Sequence, residues 1–265
     1  MTEHSYIFND AKDRSEYERL RSIEELFDPR TRKRLESLGS LAAKSVLEVG
    51  AGAGGLLPWM LEKTGSRGGV TGVDLDTRFL DRLQHRNLKV LKGDWAKMEL
   101  EAGAYDLIHE RYVLMHNPGF REMLDRMMAS LRPGGWLLAE DADFSAARWE
   151  GPEGPGLKSF DALREAVRRL FEQKHNDYAF GSKLGGYLAQ AGFADVREDV
   201  FAPLESGGQG TAEVMRQSTL QLWNQYLQTG AVTEADLRTY VEMAGNPGVK
   251  AVFYSTVSVW AQKPL

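Results

Sequence analysis

Apolar positions between residues 13 and 38 recur every three or four places, at Tyr17, Leu20, Ile23 and Phe27, with charges between them. That spacing predicts an amphipathic helix. The period then changes. Val46-Leu47-Glu48-Val49 reads as a short buried strand, and it breaks into glycines at 50, 52 and 54. From there strands and helices alternate. Leu56, Leu57, Met60 and Leu61 predict a helix ending near Gly65, Val70–Asp74 a second strand, and Phe79, Leu80 and Leu83 a second helix. Leu88–Leu91 is a third strand closed by Gly93-Asp94, and Tyr105–His109 a fourth, followed by a helix through Met123, Leu124 and Met127. Arg132-Pro133-Gly134-Gly135 reads as a tight turn into a fifth strand, Trp136–Ala139. This order predicts an α/β fold with a doubly wound, mostly parallel sheet, whose ligands bind at the carboxyl ends of the strands.

The last hundred residues add helices to that plan. A stripe at Phe160, Leu163, Val167 and Leu170, and another at Leu184, Tyr187, Leu188 and Ala191, precede a strand at Val196–Phe201. Helical patterns follow through Met215, Leu222, Trp223 and Tyr226, then through Leu237, Tyr240 and Val241, before a final strand at Val252–Trp260. We read one domain over 1–265. Residues 1–44 form a helical cap, 45–145 a cofactor-binding core, and 146–182 and 206–247 helical insertions placed as lids.

The chemistry concentrates around the first strand. Glycines at 50, 52 and 54 let the backbone turn off the strand and let a ligand press against its amides. Gly50, Gly52 and Gly55 also satisfy G-x-G-x-x-G, which alone is a weak sign of a nicotinamide site. Glu48 counts against it, because a carboxylate two residues before the turn opposes a pyrophosphate. A cationic, phosphate-free ligand suits it better, and S-adenosylmethionine fits that description. Asp74 and Asp94 stand at the ends of the second and third strands. Asp74 lies 24 residues past Gly50, near the distance at which a carboxylate meets a ribose diol. Asp94 is placed to accept from an adenine amine, with Leu75 and Trp95 as ring contacts.

Taken together, Val46–Gly54, Val70–Asp76, Gly93-Asp94, Tyr105–His116 and Leu131–Leu138 resemble the class I S-adenosylmethionine-dependent methyltransferases, particularly the small-molecule type with bacterial relatives. The resemblance implies a Rossmann-like sheet of seven strands, the last (Phe253–Trp260) antiparallel to the rest. It implies that Gly50, Ala51, Gly52 and Gly54 pass the methionine part of the cofactor, that Asp74 holds the ribose and Gly93-Asp94 the adenine, and that Glu110 and Arg111 lie near the sulfonium. Arg111 could instead pair with Glu48 or with a cofactor carboxylate. His109-Glu110-Arg111-Tyr112 replaces the Asn/Asp-Pro-Pro-Tyr signature of enzymes that methylate bases in nucleic acid.

The expected reaction is methyl transfer to a small-molecule acceptor, with a hydroxyl on an aromatic or polyketide-like scaffold the first reading. Transfer to carbon or nitrogen of a quinone- or sterol-like metabolite, a non-catalytic cofactor-binding protein and a nicotinamide oxidoreductase are the alternatives. His116 and Asp141 are the candidate catalytic residues, with Asp143 comparable and His175 less favoured. Trp149, Tyr178, Phe180, Trp223 and Tyr226 are the expected acceptor pocket. Asp141, Asp143, Asn176 and Asp177 do not match the magnesium pattern of catechol-type enzymes, so no metal is expected. The formal net charge of −5 gives no general attraction to nucleic acid or to an anionic membrane. The cluster Arg30, Arg32, Lys33 and Arg34 reads as a solvated helix face. With no cysteine, thiolate chemistry is excluded. No apolar run reaches membrane-spanning length and no signal peptide is evident, so a soluble cytoplasmic protein, possibly a homodimer, is the expectation.

Overall fold

The computed structural model describes residues 13–98 and 101–265; the first twelve residues of the expected cap lie outside the described residues. Helix α1 (Asp13–Ser37) leads into β1 (Ser45–Val49), α2 (Leu57–Thr64), β2 (Gly69–Asp74), β3 (Leu88–Lys92), β4 (Tyr105–Arg111), α3 (Phe120–Ser130) and β5 (Leu131–Asp143). Then come β6 (Arg148–Trp149), α4 (Pro155–Gln173), α5 (Leu184–Gln190), β7 (Ala194–Phe201), β8 (Glu205–Ser206), α6 (Gly210–Gln221), α7 (Trp223–Gln228), α8 (Glu234–Ala244), β9 (Lys250–Val252) and β10 (Ser255–Gln262).

The main sheet has seven strands in the order β3-β2-β1-β4-β5-β10-β7. The chain starts near the middle, winds outward to β3, then returns through β4 to the other half. That reversal between β1 and β4 opens a crevice at their carboxyl ends. β10 runs antiparallel between β5 and β7, as expected for the last strand. β1 is buried along nearly its whole length, which explains its apolar run, broken within the strand only by Glu48.

Three local expectations are corrected. The segment with Phe79, Leu80 and Leu83 is a succession of turns, with no regular helix. Leu80 and Leu83 donate to the carbonyls of Thr77 and Leu80, three residues back rather than four. This tight winding carries both leucines under the glycine loop, where a Cβ on Gly54 would sit 2.7 Å from Leu83 Cδ1 and 2.9 Å from Leu80 Cδ2. The final strand is broken at Phe253-Tyr254. Its first part, β9, pairs with β6 and β8 in a separate small sheet, and only β10 enters the main sheet. Phe253 leaves the strand to pack on Phe160, and Tyr254 on Phe144. Arg132–Gly135 is already part of β5, where the register with β4 shifts between Tyr105 and Leu107 and Gly134 takes a φ of +73°.

The basic cluster of α1 is also more than a solvated face. Arg34 reaches Asp199 on β7 at 2.9 Å and lies over the Trp260 ring, and Arg30 lies over Phe201. These contacts lay the C-terminal half of α1 along the sheet.

Leu57 is fully buried at the start of α2, against Gly54 and Gly72. We expect Leu57→Ala to lower the free energy of unfolding by about 2–5 kcal/mol in urea titration. A loss below about 1 kcal/mol would show that α2 does not seal this side of the sheet.

Candidate functional site

A cavity of about 920 Å³ opens at the carboxyl ends of the strands, at the upper end of the range for small-molecule sites. Its two ends differ in character. One is polar and backbone-rich, and is bordered by Glu48, Gly50, Ala51, Gly52, Asp74, Leu75, Gly93, Asp94, Trp95 and Arg111. The other is apolar and aromatic, with Tyr112, Phe144, Val167, Phe171, Met215, Leu222, Tyr226 and Tyr254 on its wall and His116 beside them. Glu16 and Arg19 of α1 also reach it, as a buried bidentate pair at 2.8 and 2.9 Å.

At the polar end, Asp74 organises the glycine loop. Its Oδ2 accepts from the Gly52 amide at 2.7 Å and its Oδ1 from Asp76 at 2.9 Å. Each oxygen retains a second lone pair. Burial raises its pKa, against the lowering effect of those amides. Gly50 and Gly52 both have left-handed φ, +71° and +55°, and a Cβ on Gly50 would collide with Val113. Asp94 Oδ1 caps the turn through the Ala96 amide, and its Oδ2 meets Lys97 at 2.8 Å.

Beneath the cavity lies a buried charge network. His109 is fully buried on β4, with Nδ1 2.7 Å from Glu48 and Nε2 3.2 Å from Glu140. Glu140 also accepts from Thr31 of α1 and, at 2.6 Å, from Ser258 of β10. Arg111 donates to Thr31 at 3.0 Å and to Asp28 at 2.7 Å, with Glu140 3.9 Å away. Of the partners that Arg111 was expected to choose between, Glu48 is not the one it bonds. The two carboxylates outweigh the desolvation of His109 and raise its pKa to about 9. His109 and Arg111 in turn outweigh burial at Glu140 and lower its pKa to about 2.

Glu110 and Asp141 form a second buried pair and do not border the cavity. Burial and the neighbouring carboxylate hold Glu110 well above the ordinary range; burial moves Asp141 to about 7. Glu110 accepts from the amides of Val113 and Leu114, at 3.1 and 3.4 Å, and Asp141 from Met115 at 3.4 Å. Together they fasten the turn that carries His116. Tyr112, just before it, has a left-handed φ of +58° and bonds Thr256 at 2.6 Å. His116 itself is desolvated and lies near the Arg19 guanidinium, which brings its pKa down to about 3.

Of the expected pocket residues, only Tyr226 lines the cavity. Trp149 packs on Phe160 with its indole N–H on the Pro152 carbonyl, and Phe180 packs against Phe120 and Tyr187, which also touch each other. Trp223 lies under Arg238, and the Tyr178 carbonyl accepts from the Phe144 amide. Gly54 lies off the cavity, as do Glu110 and Asp141. Asp143 caps Ser145, while His175 stands at the mouth. The wall residues that were missed come from α4, α6, the turns after β4 and β5, and the break between β9 and β10. Val214, Met215 and Leu222 do recur at a helical spacing, but the same spacing marks any core helix.

The network sets a pH dependence for stability. His109 has a raised pKa in the folded state, so its contribution is full below pH 6.5 and is lost as pH climbs through about 9. Glu140 has a lowered pKa, so its contribution is full above pH 4.5 and is lost as pH falls through about 2. Asp141, raised from 3.8 to about 7, contributes fully only below pH 3.8 and loses that contribution as pH climbs through about 7. Above pH 6.5 the melting temperature should therefore fall as pH climbs through about 9. In His109→Gln the alkaline fall should shrink; an unchanged fall would remove His109 as its source.

Three comparisons bear on the whole. A family profile described as "Methyltransferase domain" matches residues 15–198. Methyltransferase str2 of Strobilurus tenacellus is 34% identical over 152 residues, covering 55% of this chain and 51% of that protein. A ubiquinone biosynthesis O-methyltransferase of Bordetella bronchiseptica is 32% identical over 110 residues, covering 39% and 44%. The chain thus spans about half the length of the curated relatives it matches. Among solved structures, the phosphoethanolamine N-methyltransferase 2 of Haemonchus contortus, in complex with phosphomonomethylethanolamine and S-adenosylhomocysteine, superposes with a TM-score of 0.61 at 17% identity. That match covers 97% of this chain and 60% of the other.

Proposed function

The chain belongs to the class I S-adenosylmethionine-dependent methyltransferases, and we propose that it methylates a hydroxyl on an apolar, aromatic or polyketide-like small molecule. The observation that carries this reading is the single cavity joining an acid-lined, backbone-rich end to an aromatic chamber. The Bordetella relative, an O-methyltransferase by name, supports oxygen as the acceptor atom.

The polar end fits the donor. In this reading the spare lone pairs of Asp74 take the ribose diol, and Asp94 takes the adenine amine, with Leu75 and Trp95 beside the ring. Gly50, Ala51 and Gly52 bound the methionine part, and Glu48 offers it a negative neighbour. Bound there, S-adenosylmethionine supplies a methyl group activated by its sulfonium. The chain's own residues align the acceptor and exclude water, which can lower the barrier of such a displacement by roughly 7–11 kcal/mol. His116 is neutral and offers a lone pair to the acceptor hydroxyl. At a pKa of about 3 it is a weak base, so it orients that oxygen rather than ionising it in advance. Glu110 and Asp141 act one step behind, holding the turn in place. The helical segments 146–182 and 206–247 serve as lids through α4, α6 and α7.

Calorimetric titration with S-adenosylhomocysteine should give micromolar binding, and NADH none. Asp74→Ala should weaken that binding by about 1–3 kcal/mol. His116→Ala should reduce methyl transfer to hydroxylated aromatics roughly ten- to a hundredfold with donor affinity retained. Binding of NADH alone would overturn the cofactor. Transfer of label only to amine or carbon acceptors would overturn the hydroxyl.

A further inference from the structure

Helix α6 turns one stripe toward the aromatic chamber. Val214, Met215 and Ser218 line the cavity from it, and Leu222 continues the stripe just past its end. Three of these four are apolar and Ser218 is not. A serine or threonine within a helix commonly donates back to a carbonyl one turn earlier. Thr219 does this, to Met215 at 2.7 Å, and Thr229 donates to Tyr226 at 2.6 Å. Ser218 makes no such bond among the described residues, and its hydroxyl is not among the sealed, unbonded polar atoms. The residue is only 6% exposed, and the open space it borders is the chamber. The Ser218 hydroxyl is therefore uncommitted, and it is the polar position in an otherwise apolar stripe of α6.

We propose that Ser218 is a specificity-determining residue of the acceptor site. Its hydroxyl hydrogen-bonds an oxygen that the acceptor carries on its apolar skeleton, apart from the atom that is methylated. The proposal rests on the methyltransferase reading and narrows its substrate class to apolar molecules with at least two oxygen functions. A hydroxyl both donates and accepts, so a ketone, an ether or a second hydroxyl satisfies it equally. An alkyl group at that place leaves the serine unsatisfied after the chamber has closed out water, and a site built to bond an oxygen rejects such an analogue.

The test uses two probes that share a fused-ring phenol skeleton and differ by one carbonyl: 6-hydroxy-1-tetralone and 5,6,7,8-tetrahydro-2-naphthol. Their affinities are measured by titration into the protein with and without saturating S-adenosylhomocysteine. The native chain should prefer the ketone by about tenfold or more, and Ser218→Ala should bring the ratio to within about twofold. Alanine is the better helix former, so the variant should keep its melting temperature and its affinity for S-adenosylhomocysteine. No preference in the native chain, including no binding of either probe, overturns the proposal. So does a preference that survives in Ser218→Ala, or loss of folding in that variant, which would make the hydroxyl structural. Failure of S-adenosylhomocysteine to bind the native chain overturns the methyltransferase reading instead, and the ratio on the ligand-free protein still decides the role of Ser218.

Discussion

One imidazole lies between two carboxylates, and much of the molecule is arranged around it. His109 connects Glu48 of β1 to Glu140 of β5, and Glu140 in turn receives Thr31 of α1 and Ser258 of β10. Removing one partner of such a buried set leaves an uncompensated charge, which commonly costs about 3–5 kcal/mol. The acid beside the glycine loop is therefore balanced from inside the sheet. With Arg111 and Asp28 added, the same set ties the helix that covers the cavity to the strands that form its floor.

The cavity divides along that construction. Its polar end is made by strand ends and tight turns, whose positions follow from the sheet and whose amides are held by Asp74 and Asp94. Its aromatic end is made by α1, α4, α6, α7 and the turns after β4 and β5. A scaffold of this kind keeps one binding half while inserted helices set the other.

The polar half was legible in the sequence because its signals are local. A strand, its glycines and an acid at the next strand end occur within a few residues, and each has its own backbone reason. The aromatic half was not, because a helical stripe tells which residues are inward without telling whether they meet core or cavity. Trp149, Phe180 and Trp223 met core; Phe144, Phe171 and Tyr254 met cavity. His109 was read only as part of a motif, since its partners lie 61 and 31 residues away. The turns at residues 77–83 misled for another reason: leucines three apart suit a helix and a chain of tight turns alike.

The place of β10 has a consequence for how the chain comes to its fold. It is the last strand described, yet it sits between β5 and β7 rather than at a margin. On a ribosome, β5 and β7 therefore cannot be joined through the sheet until residues 255–262 have emerged. Both present open backbone edges during that interval, and exposed edges are where nascent chains mispair. The half from β3 to β5 can assemble early from near neighbours, whereas the far half closes only by long-range pairing, once residues 255–262 are available. The acid network gains its Ser258 contact at that same late moment, so the helix over the cavity is fully secured only when the sheet is complete.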